Sequence, residues 1–288
     1  MTSSLTNALR LLRIPFSLFL MPIYWFALSA APQVEPWRAA AVFLTLHLLV
    51  YPASNGYNSY YDRDEGSIGG LKHPPQVTEA LYWLVLAFDG LAVVLSALLS
   101  LPFAGMVALY LLISKAYSYK GIRLKKYPLL STLVVVLFQG GFTFAMVQVG
   151  SGVEPGTILS GPNLLLALVS TLFLCGSYPL TQVYQHDEDA RRGDRTLSLQ
   201  LGLWGTFLFA GVSLAVAAGL LLYTYWLRNE LYHGLFFLLC TFPVVVFFTR
   251  WLWKVKKDTA AADFDHTMRM NKISSLSMSL AFILMLVW

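Results

Sequence analysis

Long apolar runs separated by short polar segments extend from one end of the chain to the other. A helix that crosses a membrane needs roughly 20 mostly apolar residues, and nine segments have this character. The predicted spans are Leu11–Ala31, Arg38–Tyr61, Thr78–Ser100, Pro102–Tyr119, Leu129–Gly150, Asn163–Tyr184, Trp204–Leu227, Leu231–Trp253 and Lys272–Trp288. The pattern predicts an all-α integral membrane protein of about nine transmembrane helices, with loops too short for a soluble domain.

Composition agrees with this prediction. Hydrophobic residues make up 57% of the chain and charged residues 12%, whereas about 25% of a typical soluble domain is charged. Cys175 and Cys240 both lie inside apolar runs, which favours neither a disulfide framework nor a metal site. The first apolar run is too long for a signal peptide and has no clear cleavage site, so it is interpreted as the first span.

Lys and Arg residues predict the orientation, because they concentrate on the cytoplasmic side of a membrane. With the N-terminus inside, 18 of the 20 basic residues fall on the inner side and only Arg38 and Arg228 fall outside. Nine spans then place the C-terminus outside. A wrong span count would scramble this alternation, so the asymmetry supports both predictions. The net charge of +5 is therefore interpreted as an orientation signal, and no nucleic-acid partner is expected.

Acidic residues form two clusters, both on the predicted inner side. One follows the second span and the other follows the sixth, four helices later. This equivalence predicts a single domain over residues 1–288, built from two pseudo-repeated halves of four helices plus a ninth helix.

The first cluster begins on the second span. Asn55, Asn58 and Asp62 have an i, i+3, i+7 spacing, which puts them on one helical face. Polar groups near a membrane helix end are costly unless they meet partners or line a wet cavity. Carboxylate and amide oxygens on such a stripe suit Mg²⁺. The alternative is a helix end that only reaches the lipid headgroups.

The second cluster combines acids with arginines. Thr181, Gln185 and Asp189 share one face on a helical spacing, and Arg195 follows them. Acids can hold a metal ion, and the planar, forked donors of Arg suit phosphate oxygens. The alternative is a solvated loop whose arginines only set orientation.

A basic loop lies between the two clusters in sequence and on the same predicted side. Its residues Lys120, Arg123 and Lys125 would by themselves be an orientation signal, but the acids that face them make diphosphate binding credible. Asp89 lies near the middle of the third span, where a charge costs roughly 2.5–3.5 kcal/mol. A buried structural acid is the favoured interpretation of Asp89.

Four motifs in this order resemble the UbiA superfamily of membrane prenyltransferases. They are Arg13-Ile14-Pro15, Asn58-x-x-x-Asp62-x-Asp64, Tyr117-Ser118 with Arg123-Leu124-Lys125, and Asp187-x-Asp189-x-x-x-Gly193-x-Arg195-Thr196. The resemblance covers essentially the whole chain. It implies a helical bundle around a central cavity that opens laterally to lipid, and transfer of an isoprenyl group from an isoprenyl diphosphate to an unidentified acceptor.

The resemblance also assigns expected roles. Mg²⁺ is expected at Asn58, Asp62, Asp64, Gln185, Asp187 and Asp189, with Asn58, Asp62 and Asp189 as catalytic residues. The diphosphate is expected to contact Arg13, Lys72, Lys120, Arg123, Lys125 and Arg195. The carbocation is expected to be stabilised by Tyr61, Tyr119 and Tyr184. The expected location is a bacterial inner membrane, with membrane lipid around the protein and the site on the cytoplasmic side.

Two positions depart from the family pattern. Gly66 stands where a further acid usually follows Asp62 by four residues, and Gln185 stands where an acid usually precedes Asp189 by four. Fewer carboxylates would hold Mg²⁺ more weakly or in altered geometry. The sequence therefore leaves open a family member that binds prenyl lipids without chemistry. It also leaves open a cation-coupled transporter, for which only Asp89 lies near the usual midplane depth.

Overall fold

A computed structural model describes residues 2–288, apart from the side chains of residues 2, 3 and 192. Within these residues, nine helices are long and apolar enough to cross a membrane. They are α1 (Ser4–Ser29), α2 (Pro36–Asp62), α3 (Glu79–Leu99), α4 (Leu101–Ser118), α5 (Pro128–Gly150), α6 (Gly161–Arg191), α7 (Leu197–Leu227), α8 (Leu231–Lys257) and α9 (Phe264–Val287). The predicted fold class and span count are confirmed.

The helices form a closed ring in chain order. Each one packs against the next along the chain, and α9 closes the ring against α1. The short break between α3 and α4 makes them antiparallel neighbours, and Ser100 caps α4 by accepting a hydrogen bond from the Phe103 amide at 3.3 Å. The sequential arrangement brings the ends of α2, α4 and α6 and the starts of α5, α7 and α9 to one end of the bundle.

Polar residues start α9 about two turns before its apolar run and add a short helical segment before the long part of α7. The Thr196 side chain accepts a hydrogen bond from the Leu199 amide and starts a short helical segment at Leu197. Gly202 then has a non-helical backbone (φ 66°, ψ 175°), and the long part of α7 starts after it, close to the predicted Trp204. Asp263 accepts a hydrogen bond from the His266 amide at 2.7 Å and starts α9 at Phe264, not Lys272. These N-caps satisfy helix-end amides, and the polar first turns they add were excluded by a hydropathy criterion.

Breaks within α1 and α6 position functional side chains. Arg13 has a left-handed φ of 50° and precedes a 3₁₀ segment, Ile14–Leu20. In α6 the regular helix ends at Leu180, one residue after Pro179, and a 3₁₀ turn leads to a new helix that starts at His186. Proline weakens a helix because its nitrogen cannot donate. Thr181, Gln185 and Asp189 therefore do not share one continuous helix, contrary to the sequence prediction.

The apolar core fills the other end of the bundle. Phe26 of α1 stacks on Phe282 of α9 with ring centroids 4.4 Å apart, and both side chains are fully buried. At this end Arg38 donates to the carbonyls of Gly150 and Leu99, and Arg228 donates to that of Ala30. Cations suit helix C-termini, where carbonyls lack helical partners. The two arginines predicted outside thus close helix ends, and the other end of the bundle holds the cavity.

Candidate functional site

The two acidic clusters face each other across a cavity of about 270 Å³. Asn55, Asn58 and Asp62 line it from α2, and Gln185 and Asp189 line it from α6. The spacing argument for α2 is thus matched by the geometry. For α6 the break after Leu180 replaces a continuous helical face, but the three residues Thr181, Gln185 and Asp189 still reach the same cavity.

Asp62 is held by two partners, Asn58 of the same helix and Lys125 of the basic loop. Its Oδ2 accepts a hydrogen bond from Asn58 Nδ2 at 2.7 Å, and the same nitrogen donates to Ser118 Oγ at 3.0 Å. Its Oδ1 lies 2.6 Å from Lys125 Nζ. The Asp62 and Lys125 side chains are only 8% and 13% exposed. A buried carboxylate of this kind requires a cation, and Lys125 supplies it.

Asp194 brings the basic loop to the second cluster, a role that the sequence analysis did not assign. One terminal nitrogen of Arg123 donates to both Asp194 oxygens, at 3.0 and 3.1 Å. Lys125 Nζ lies 3.7 Å from Asp194 Oδ2. Lys125 therefore links Asp62 to Asp194, and Arg123 is engaged by an acid. The only sequence signal was an acid between Gly193 and Arg195, which does not reveal its partner.

Arg13 holds the loop between α2 and α3 over the cavity. Its two terminal nitrogens donate to the carbonyls of Gly69 and Asn55, at 3.1 and 3.2 Å. The left-handed backbone at Arg13 starts a new helical direction and turns this side chain inward. Gln185 Nε2 donates to the Ser67 carbonyl at 3.2 Å, so the second cluster also holds the loop. The loop of residues 63–78 is therefore fastened to both walls.

Some of the expected site residues lie elsewhere. Asp187 is exposed and does not line the cavity, so the structure separates it from the other expected metal ligands. Lys72 is exposed and pairs with Asp265 at 2.7 Å. Lys120 is exposed and lies with Tyr61 and Asp62 in a neighbouring recess. Arg195 is exposed in another recess, beside Lys126. The helical restart at His186 rotates Asp187 outward.

The three expected aromatic residues are divided between two places. Tyr184 lines the cavity. Tyr61 and Tyr119 meet edge to face outside it, with centroids 5.8 Å apart. Two further tyrosines, Tyr117 and Tyr178, line the cavity with their hydroxyl oxygens 2.7 Å apart. The aromatic wall of the cavity is thus built mainly from α4 and α6.

A second, larger cavity of about 580 Å³ adjoins the first. The two share Phe16, Asn55, Gln139, Tyr178 and Thr181. The remaining lining comes from α1, α6, α7, α8 and α9 and is mostly apolar. A polar, charged chamber therefore leads directly into an apolar one.

Asp89 lies apart from both cavities. It forms an ion pair with Lys115 of α4, and Lys115 Nζ lies 5.0 Å from the Tyr57 ring centroid. An acid that is paired with a lysine on the neighbouring helix is the arrangement expected of a structural residue. The structure therefore gives Asp89, the one residue whose depth favoured a cation-coupled transporter, a structural explanation.

The chain matches the model of the UbiA prenyltransferase family over residues 19–273. This protein belongs to that family. No curated protein sequence matches it. Its fold resembles a UbiA homolog from Archaeoglobus fulgidus bound to GPP and Mg²⁺, with a TM-score of 0.70 at 17% identity, covering 98% of this chain and 100% of that one.

Two further solved structures share the fold. The apo UbiA homolog from Aeropyrum pernix K1 has a TM-score of 0.70 at 19% identity, covering 94% of this chain and 98% of that one. A digeranylgeranylglyceryl phosphate synthase has a TM-score of 0.62 at 17% identity, with coverages of 99% and 98%.

The UbiA architecture gives this chain oxygen donors of the kind that Mg²⁺ prefers. Asp62 and Asp64 stand on one wall of the cavity and Asp189 on the other. Within the described residues, no three His, Cys, Asp or Glu side chains form a ready-made metal group. Asp62 nevertheless already binds one cation, the Lys125 ammonium. The residues therefore fit Mg²⁺ that is completed by oxygens of a second ligand between the walls.

The position of Gly66 has a structural counterpart in Glu188. A Cβ built on Gly66 would collide with the Glu188 carboxylate. The space beside residue 66, where the family pattern carries an acid, thus holds a carboxylate from the other cluster. Glycine at 66 makes this approach possible. The departure seen in the sequence is therefore accompanied by an acid in nearly the same place.

Proposed function

We propose that this protein is an Mg²⁺-dependent intramembrane prenyltransferase, which transfers an isoprenyl group from an isoprenyl diphosphate to an acceptor. The observation that carries the proposal is the contact between the two cavities. A chamber with acids on both walls and a lysine between them leads into an apolar chamber. This pairing suits a substrate that has a charged diphosphate at one end and a hydrocarbon chain at the other.

The acidic chamber would hold the diphosphate with its metal. Asn58, Asp62, Asp64 and Asp189 are the candidates to hold Mg²⁺, with Gln185 contributing its amide oxygen. Bound Mg²⁺ would neutralise the diphosphate oxygens and make the diphosphate a better leaving group. Family membership and the GPP and Mg²⁺ carried by the Archaeoglobus fulgidus homolog support this assignment.

Lys125 would then act on the diphosphate. In the structure its ammonium forms ion pairs with Asp62 and Asp194. With Asp62 as a ligand of Mg²⁺, the Lys125 ammonium would be free to donate to a phosphate oxygen. Asp194 keeps Arg123 and Lys125 close to the chamber in both states. Arg13 would close the chamber against water through the loop of residues 63–78.

The bond changes follow from this placement. The allylic C–O bond breaks and its electron pair leaves with the diphosphate. The allylic cation would form near the junction of the two cavities, beside Tyr178, which lines both, and on the side of Tyr184, which lines the acidic one. The ring faces of both tyrosines can stabilise positive charge. The acceptor forms the new bond and loses one proton, which the released diphosphate accepts. Preorganised charge in a water-poor chamber is the main source of rate enhancement.

The proposed location follows from the basic residues. The acidic chamber lies at the end of the bundle that carries the Lys and Arg excess, which the positive-inside rule places in the cytoplasm. We accordingly propose a bacterial inner membrane with the site on its cytoplasmic side. A soluble diphosphate-bearing donor would reach the chamber from there.

The proposal is tested with the purified protein in lipid nanodiscs. Geranylgeranyl diphosphate is supplied with Mg²⁺ or with EDTA, together with a bacterial lipid extract as the source of acceptor, and bound donor and released diphosphate are measured. The proposal expects Mg²⁺-dependent donor binding and diphosphate release, both lost in Asp189→Asn. Donor binding that is equally tight in EDTA and in Mg²⁺ would contradict the proposal. Mass spectrometry of lipids from cells with and without the gene would then identify the product.

One alternative has a specific observation in its favour. Gln185 replaces an acid and uses its amide nitrogen on the Ser67 carbonyl, which leaves fewer carboxylates at the metal. A prenyl-lipid-binding protein without catalysis would have this property. Such a protein would bind geranylgeranyl diphosphate and release no diphosphate in the same experiment.

A further inference from the structure

A groove between α8 and α9 carries three cations on the outer surface of the bundle. Phe247, Arg250 and Lys254 have an i, i+3, i+7 spacing, which puts them on one face of α8. Lys254 Nζ lies 3.4 Å from Nε2 of His266 on α9, and the guanidinium of Arg269 on α9 lies 5.6 Å from the Phe247 ring centroid. Arg250, Lys254 and Arg269 are all exposed. The two contacts bring the cations of both helices to one groove.

No carboxylate pairs with these three cations among the side chains that the structure describes. The acids nearby have other partners. Asp263 Oδ1 lies 2.9 Å from His266 Nδ1, and Asp265 pairs with Lys72 at 2.7 Å. Asp258 accepts a hydrogen bond from a backbone amide at 3.0 Å. Like charges four residues apart on a helix repel each other, so an anionic ligand would stabilise the groove.

Tryptophan side chains mark the depth of the groove in the membrane. Lys256 Nζ lies 5.2 Å from the ring centroid of Trp253 on α8 and 5.7 Å from that of Trp204 on α7. The two tryptophans are 57% and 56% exposed, and exposed tryptophan is enriched at the membrane–water interface. Arg250 lies one turn before Trp253. The groove is therefore at the level of the lipid phosphates.

The surface beneath the cations is apolar and faces lipid. On α9, Leu276 and Leu280 follow Arg269 at i+7 and i+11, so they share its face, and they are 53% and 54% exposed. On α8, Phe242 lies two turns before Arg250 and is 62% exposed. A soluble phosphate would contact only the cations, whereas a phospholipid would also cover these apolar side chains. The continuity of the two surfaces favours a lipid.

Orientation in the membrane does not require this arrangement. The positive-inside rule depends on the number of basic residues near helix ends, and Lys256 and Lys257 on α8 already contribute to that number. In the groove, by contrast, cations from two helices converge, and the Phe247 ring supports the Arg269 guanidinium. A guanidinium that stacks on a ring keeps its forked N–H donors available for phosphate oxygens.

We propose that the groove formed by Arg250, Lys254 and Arg269 binds the headgroup of an anionic phospholipid. Basic pockets between transmembrane helices are suited to anionic headgroups. The lipid phosphate would lie between the two arginines, with the acyl chains along the apolar surface beneath. A zwitterionic lipid carries an ammonium beside its phosphate, which the three cations would repel. This site lies outside both cavities and is independent of prenyl transfer.

Lipid binding to the purified protein in detergent micelles tests the site. Native mass spectrometry gives the dissociation constants of phosphatidylglycerol and phosphatidylethanolamine with identical acyl chains. Phosphatidylglycerol should bind at least about fivefold more tightly, which is the effect of roughly one basic residue at a membrane surface. In the triple variant Arg250→Gln/Lys254→Gln/Arg269→Gln this preference should disappear, while the affinity for phosphatidylethanolamine should not change. Arg269→Gln alone should reduce the preference, and it provides the measurement if the triple variant does not fold.

The matched control is Arg10→Gln/Arg63→Gln/Lys126→Gln. It removes three exposed cations from the same end of the bundle but none from the groove, so the preference for phosphatidylglycerol should be retained. Equal affinities for the two lipids in the wild-type protein, or an equal loss of preference in both triple variants, would overturn the proposal. Displacement of phosphatidylglycerol by inorganic phosphate would also overturn it, because the groove would then be a site for a soluble anion.

Discussion

Lys125 reaches Asp62 from the loop before α5, with 2.6 Å between Nζ and Oδ1, and the same ammonium lies 3.7 Å from Asp194 Oδ2. One cation thus joins carboxylates from the two clusters that flank the cavity. In the proposed function, binding of a metal ion and a diphosphate would rearrange these ion pairs. The acids are kept close together before the ligand arrives.

Removal of Lys125 should make the protein depend on Mg²⁺ for stability. Lys125→Met leaves Asp62 buried without a cation, and breaking a buried ion pair typically costs about 3–5 kcal/mol. The melting temperature should fall in EDTA and recover in Mg²⁺, because the metal replaces the lost charge. Thermal unfolding in nanodiscs under both conditions measures this. A variant that is equally destabilised with and without Mg²⁺ would show that Asp62 does not bind the metal.

Substitutions of Asp62 and Asp187 should have sharply different effects on activity, although both residues were predicted as Mg²⁺ ligands. Asp62→Asn should lower the rate of diphosphate release at least 100-fold, in line with the loss of a group that stabilises transition-state charge. Asp187→Asn should stay near wild type, because the side chain is exposed outside the cavity. Initial rates at saturating Mg²⁺ give the comparison. Comparable losses in both variants would mean that the helical segment starting at His186 rearranges and brings Asp187 into the site.

Arg123 and Asp194 should behave as one unit. Arg123→Met frees Asp194 to compete for Lys125, and Asp194→Asn frees both cations from their acid. Each change should weaken donor binding. The double variant should bind the donor no more weakly than the more impaired of the two single variants, since the effects of residues in one network are not additive. Donor affinities of all four proteins complete the cycle. Additive losses would support a direct contact between Arg123 and the diphosphate.

Phe237 should limit donor length. It lines the apolar cavity, its ring centroid lies 5.6 Å from that of Phe173, and it precedes the cavity residue Thr249 by about 18 Å of helix. Phe237→Ala should deepen the cavity and raise kcat/KM for a C20 donor relative to a C15 donor. Phe207→Ala is the control, since Phe207 is equally buried but lines neither cavity. The same shift in both variants would point to general loosening of the bundle.

The C-terminus should lie outside the cytoplasm. This topology follows from nine spans and from the placement of 18 of 20 basic residues on one side. A periplasm-active reporter fused after Trp288 should be active, and a reporter fused in the loop of residues 119–127 should show a cytoplasmic location. A cytoplasmic signal at Trp288 would contradict the predicted orientation and place the acidic chamber on the opposite side.

Hydropathy and helical spacing were sufficient to predict much of the fold. Nine apolar runs predicted nine membrane-length helices, because the bilayer sets a minimum length that each run meets independently of the others. The spacing of Asn55, Asn58 and Asp62 predicted one polar face, because helical periodicity is also local. The start of α9 at Phe264 and the short helical segment that starts at Leu197 were missed, because the caps Asp263 and Thr196 precede turns that are not continuously apolar.

The partners within the site were decided by the tertiary structure alone. The sequence grouped Asp187 with Asp189, but the break after Pro179 and the restart at His186 turn Asp187 outward. It predicted Arg123 as a phosphate ligand but not its contact with Asp194, 71 residues away, which packing of the basic loop against the second cluster creates. Length and period are properties of single helices, and the sequence determines them directly. Pairing between helices depends on how they pack, and only the folded chain shows it.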